Sequence, residues 1–178
     1  MKKIALALVA LSAAATPAFA QEETKDFTGP HLALITGVDQ VKSDSPDLHD
    51  PVGVLYGVAL GYDLQLGKVV VGLEGEAAES TAQAKANNIV AAKASRDLYA
   101  GGRIGFVTGP TLIYLKAGYT NARVDTIAGD DNGDGVRVGV GGDVRLQNNV
   151  FFRTEYRYSN YEAEVERHQL VLGVGMRF

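Results

Sequence analysis

Cysteine and tryptophan are absent from this sequence, and methionine occurs only twice. Without cysteine no disulfide can staple the chain, so a small exported domain must find its stability elsewhere. Basic residues are also the minority, 17 Lys and Arg against 21 Asp and Glu. Such a chain lacks the basic patch that a phosphate backbone requires, and nucleic acid is not expected as a partner. Long apolar runs are missing too. The run from Ile4 to Ala15 is shorter than the roughly 20 residues of a spanning helix, and no other follows it. Crossing a membrane by α-helices is therefore not expected.

What is present begins with Lys2 and Lys3, that apolar run, and Ala18-Phe19-Ala20. A positive start, a short apolar core and an A-x-A site read as a secretory signal peptide over residues 1–20, cleaved after Ala20. No Cys follows the site, so a lipoprotein is not expected. Residues 21–178 suit one domain. Without Lys2 and Lys3 the 17 basic residues fall to 15 against 21 acidic ones, a formal charge of −6.

Glycine is abundant, at 21 residues, and it recurs inside segments of period-two alternation. The clearest segment is the last, Arg167 to Phe178. Leu170, Leu172, Val174, Met176 and Phe178 share one face; Gln169, Val171, Gly173, Gly175 and Arg177 share the other. Seven earlier segments read the same way: Phe27–Val41, Val54–Gln65, Val69–Ser80, Arg96–Thr108, Thr111–Val124, Val136–Leu146 and Val150–Tyr161. The first of these has no clear facing. Tight turns fall at 66–68, 109–110 and 147–149; polar loops are expected at 42–53, 81–95 and 125–135, with a short connection at 162–166. Eight strands with alternating short and long connections predict an all-β, eight-stranded, antiparallel up-and-down barrel.

Alternation alone does not say which face is inside. A soluble barrel puts the apolar face in, and a transmembrane barrel inverts it. Here the charged face is also the glycine face, as a crowded small lumen requires. The apolar face carries Tyr56, Tyr62, Phe106, Tyr119, Phe152, Tyr156, Tyr158 and Phe178, many near strand ends, as interface girdles do. The reading is a transmembrane barrel with both termini on the periplasmic side.

The segments Phe27-Thr28-Gly29-Pro30, Tyr56-Gly57-Val58-Ala59-Leu60-Gly61-Tyr62-Asp63, Lys116-Ala117-Gly118-Tyr119-Thr120-Asn121, Glu155-Tyr156-Arg157-Tyr158-Ser159 and Gly175-Met176-Arg177-Phe178 resemble the small outer-membrane barrels of the OmpA, OmpX and opacity-protein type. That resemblance covers the whole chain after residue 20. It implies an outer-membrane location, with outer-membrane lipid and lipopolysaccharide as surroundings. It also implies that the assembly machinery reads Leu170, Leu172, Val174, Met176 and Phe178. Such barrels serve as anchors, narrow pores, adhesins or, occasionally, lipid enzymes. An external ligand at the loops fits the pattern. No cofactor is expected, and unlike full-length OmpA no peptidoglycan-binding domain is expected after the barrel.

The predicted lumen collects Asp63, Glu74, Glu76, Asp97, Asp143 and Glu155 against Arg103, Lys116, Arg137, Arg145, Arg153, Arg157 and Arg177. Buried charges must pair, so the expectation is a salt-bridged plug, with a gated narrow channel for small solutes as the alternative. Asp130, Asn132, Asp134 and Gly135 match the first half of an EF-hand loop, but Gly141 stands where the closing Glu belongs. An acidic turn accounts for them equally, and no metal site is assigned. Arg157-Tyr158-Ser159-Asn160 resembles the His-x-Ser-Asn motif of outer-membrane lipid A deacylases. Arginine holds the histidine position and cannot act as the base. His168 is expected near Ser159 across the last hairpin, without an orienting carboxylate. His31 and His49 have no ligand spacing. No enzyme is expected.

Overall fold

The computed structural model describes residues 27–42, 52–81, 83–86, 89–126, 129–161 and 165–178, with side chains described except at 42, 83–86, 89–95, 124–126, 129–132 and 165. The expected signal peptide, the residues up to 26 and the His49 loop lie outside the described residues.

Among the described residues, nine strands form one antiparallel sheet: β1 Gly29–Lys42, β2 Val52–Leu66, β3 Val69–Ser80, β4 Gln83–Ala86, β5 Ile89–Thr108, β6 Thr111–Thr126, β7 Gly129–Arg145, β8 Val150–Tyr161 and β9 Val165–Arg177. Each long strand pairs with its chain neighbour, β1 pairs with β9, and β3 pairs directly with β5. The sheet therefore closes on itself as an eight-stranded ring in which every strand is paired on both sides. Short β4 extends the β5 end as a small hairpin outside the closed ring.

Two expected loops are corrected. Residues 81–95 contain β4 and the start of β5, and residues 125–135 lie largely in the β6–β7 hairpin, paired down to Thr126 and Gly129. These stretches carry few large apolar residues, so no one-sided alternation marks them as strand. Beyond the membrane neither face needs to be apolar. The acidic run Asp130–Gly135 is accordingly paired strand rather than a calcium-loop coil. The tight turns stand as expected. Gly67, Gly109, Asn148 and Asn149 supply the positive φ angles that reverse the chain there.

The facing of the strands is inside-out. Leu60, Leu73, Leu115, Val136 and Leu170 are exposed, while Asp63, Arg137, Asp143, Arg153 and Arg157 are buried. A barrel with apolar residues outside and charges within belongs in lipid. β1, whose facing the sequence left open, turns His31, Ala33, Ile35 and Asp39 inward and Leu32, Leu34 and Val38 outward. Its apolar residues occupy both faces, which blurs the alternation. Three inward aromatics make this interior fit. Tyr114 packs over Gly141 and Phe151 over Gly175, each opposite the other in register. A Cβ on Gly141 would stand 2.7 Å from the Tyr114 ring, and one on Gly175 would collide with that of Phe151. Tyr99 likewise lies over its own strand's Gly101.

Candidate functional site: the charged lumen and its rims

Among the described residues, Asp39, Asp63, Glu74, Glu76, Asp97, Asp143 and Glu155 are buried, as are Arg103, Lys116, Arg137, Arg153, Arg157, Arg167 and Arg177. The two sets match in number. Alternation along strands aims them inward, and the register stacks them in three tiers.

Nearest the tight turns, Arg153 grips Asp143 with two bonds, Nε to Oδ1 at 2.8 Å and Nη2 to Oδ2 at 3.0 Å. Its Nη1 crosses the lumen to Glu74 Oε2 at 2.7 Å. Arg103 donates to both oxygens of Asp63 and also reaches Glu74 and Asp143. His31 lies in this tier, its Nε2 3.1 Å from Glu74. In the middle tier the carboxylates of Glu74, Glu76 and Glu155 lie within 4.8 Å of one another, a grouping that could hold a metal ion. The cation at their centre is Lys116, whose Nζ stands 3.2, 2.6 and 2.7 Å from them. Arg157 pairs with Glu76 and Glu155, and the Tyr114 hydroxyl donates to Glu155 at 2.6 Å. Near the loop end, Arg137 donates to Asp97 at 2.6 Å, and Arg167 pairs with Asp39 and Asp97.

Of the lumen residues expected from sequence, twelve join this interior; Arg145 stands half-buried at the turn-side mouth. Sequence reasoning missed Asp39, Arg167 and His31. Asp39 and His31 lie on β1, whose facing was open, and Arg167 sits one alternation step before Gln169, where a signal existed. It also missed Tyr99, which lies beneath Lys116 and Arg137 at 4.6 and 5.6 Å from its ring centre.

The Ser159 motif does not assemble a nucleophile. Ser159 faces the lumen and its Oγ accepts from Arg137 Nε at 2.8 Å. His168 is on the opposite face, paired in register with Tyr158, and its Nδ1 lies 2.7 Å from the Tyr156 hydroxyl. The expected approach of His168 to Ser159 is thus corrected. Residues directly across a hairpin share a face, and Ser159 is opposite Arg167 instead.

Two rims frame the outer surface. Phe106, Phe152 and Phe178 stand within about two residues of the turn-side ends. Tyr56, Tyr119 and Tyr158 stand eight to ten residues from those ends, so the two rims lie about six to eight residues apart, roughly 15–20 Å at the rise and tilt of barrel strands. The two rims thus fall inside the ~25 Å apolar band of such barrels, near its borders. Each loop-side tyrosine donates to a carboxylate: Tyr56 to Glu79 at 2.8 Å, Tyr119 to Asp134, and Tyr158 to Glu166 at 2.8 Å. Asp134, beyond the band, also accepts from Asn121 at 2.7 Å. These two donors hold its carboxyl below the usual aspartate range. The side chains of Asp130 and Asn132 lie outside the described residues.

Comparison with known proteins agrees with this geometry. The family model described as an outer membrane protein beta-barrel domain matches residues 6–178. The 25 kDa outer-membrane immunogenic protein of Brucella ovis is 27% identical over 156 residues, spanning 85% of this chain and 76% of that protein. The 22 kDa outer membrane protein of Rhizobium leguminosarum bv. viciae is 29% identical over 139 residues, 68% of this chain and 64% of that one. Neisserial surface protein A superposes with a TM-score of 0.60 at 18% identity, covering 85% of this chain and 98% of its own. The Yersinia pestis attachment invasion locus protein Ail gives 0.56 at 18%, covering 85% and 99%.

Proposed function

On the premise that this chain belongs to the outer-membrane protein β-barrel domain family and resides in the outer membrane, we propose that it is a structural, surface-interacting barrel whose lumen is plugged by its own salt-bridge network. The observation that carries this reading is the matched set of seven acids and seven bases among the described residues, each ion-paired with a partner on another strand. Eight strands enclose a space that side chains about fill. A charge there is stable only when paired and hydrogen-bonded. Arg153 and Arg157 lie across the lumen rather than along its wall, since their partners Glu74 and Glu76 stand on β3.

The rest of the reading follows from the outer surface. Outer-membrane lipid and lipopolysaccharide surround the apolar band. The barrel-assembly machinery handles the chain through the outward residues of β9. An external ligand is met at the loop end, a role in keeping with relatives named immunogenic and surface proteins. Catalysis has no part in it: Ser159 has a guanidinium beside it, not a base.

Single-channel recording of the refolded protein in a planar bilayer tests the plug. The expected result is a silent bilayer with folded protein verified by its heat-dependent gel shift. Discrete, reproducible conductance steps would overturn the plug and promote a narrow channel for small solutes.

A further inference from the structure

The turn-side mouth of the barrel contains a cavity of about 200 Å³. Two guanidinium groups, Arg177 and Arg145, line it together with the rings of Phe27 and Phe151, and Asn149 and Thr28 stand at its edge. Arg177 is built into the wall. It is 7% exposed, and its guanidinium carbon lies 5.5 Å from the centre of the Phe27 ring and 5.7 Å from that of Phe151. Its Nη1 donates to the Phe27 carbonyl at 2.8 Å and to Asp63 Oδ2 at 2.7 Å. Among the described residues its buried Nη2 has no hydrogen-bond partner. A buried charged donor without an acceptor is costly, and an arriving oxygen would relieve that cost.

The mouth presents two guanidinium groups to an arriving anion. Asp63, the acid that faces Arg177, is shared with Arg103 and lies 3.5 Å from His31. In this tier Asp63, Glu74 and Asp143 face Arg103, Arg153 and Arg177, and Glu74 also serves Lys116. Three acids thus face three arginines in this tier, and Arg145 at the mouth is a further cation beside Arg177. The Phe106, Phe152 and Phe178 girdle marks the membrane–water border at this end, the level at which phospholipid phosphates lie. We propose that the cavity binds a phosphate group, held by the free Nη2 of Arg177 and by Arg145. The stacked phenylalanine rings keep the Arg177 fork in place, and guanidinium forks match phosphate oxygens in pairs. The phosphate is that of an inner-leaflet phospholipid reaching over the rim, or free phosphate in the periplasm. The site stands whether or not the lumen conducts.

Inorganic phosphate titrated calorimetrically into the refolded protein in phosphate-free detergent micelles is the direct test. One-site saturable binding is expected, weakened at least tenfold in Arg177→Lys, which keeps the charge but loses the fork, and in Arg145→Gln. Should Arg177→Lys fail the gel-shift test of folding, Arg145→Gln at the mouth decides. Absence of saturable binding to the unaltered protein overturns the proposal, and so does undiminished binding in the folded variants. Phospholipid nanodiscs then separate the sources. A silenced phosphate isotherm with a shifted ³¹P lipid resonance assigns the site to a headgroup; an isotherm like that in micelles assigns it to free phosphate.

Discussion

Leu115 and Lys116 are neighbours in β6, yet they live in different solvents. Leu115 is 60% exposed on the outer face, and Lys116 is fully enclosed between three carboxylates. Outside, the interactions are non-directional, and many residues of similar size serve equally. Inside, each charge depends on particular partners at particular distances. One strand thus carries two kinds of specification on alternate residues. The inner one tolerates change far less in geometry, the outer one far less in polarity.

The largest effect is expected from breaking the inner face. Arg153→Ala removes the nearer of the two cations that Asp143 and Glu74 share, and removing one partner of a buried pair costs about 3–5 kcal/mol. Urea unfolding in micelles, followed by the gel shift, measures it. A loss no greater than that of a surface change would mean that Arg103, already within reach of both acids, suffices to balance them. The outer face is tested by Leu115→Arg, about midway between the Thr111 end and the Tyr119 girdle. A cation near the bilayer midplane costs about 2–4 kcal/mol, and the same change at a rim costs about 0–1 kcal/mol. Equal costs at both depths would contradict the placement of the band.

This contrast also explains what was legible in the sequence. Where outer residues are large and inner ones are charged or glycine, as from Tyr56 to Asp63, alternation marks the strand, and the pairing of glycine with charge marks the inner face. β1 carries Ile35 and Ala33 inside and Leu34 and Leu32 outside, so polarity carries little facing information there, and His31 and Asp39 went unnoticed. The β4–β5 and β6–β7 hairpins extend past the apolar band, where no lipid imposes a pattern. The ion pairs themselves join strands far apart in sequence, as Arg153 and Glu74 do. Composition showed near balance; the partners depend on the closed ring.

A smaller effect concerns volume rather than charge. Gly141→Val places a Cβ 2.7 Å from the Tyr114 ring and 2.8 Å from the Thr154 carbonyl, and overpacking of this kind costs about 1–3 kcal/mol. The same substitution at Gly142, whose Cβ would have its nearest neighbour at 3.7 Å on the outer face, is expected to cost less. Similar losses at the two glycines, in the same urea experiment, would erase the distinction between a crowded lumen and an open outer surface.

The two kinds of specification meet at the loop-side rim, where Tyr119 spans an apolar ring and a polar hydroxyl. Hydrogen bonds from Tyr119 and Asn121 lower the Asp134 pKa from 3.8. A depressed folded value means that these bonds stabilise the native barrel above the unfolded pKa. Their contribution is lost as the pH falls through the folded value. Tyr119→Phe keeps the ring at the interface and removes one donor, so the Asp134 midpoint should move up toward 3.8 with the folded state retained, read from the carboxyl ¹³C shift against pH. An unmoved midpoint would assign the carboxylate to Asn121 alone. It would leave Tyr119 as a purely apolar girdle residue, no different from the phenylalanines of the opposite rim.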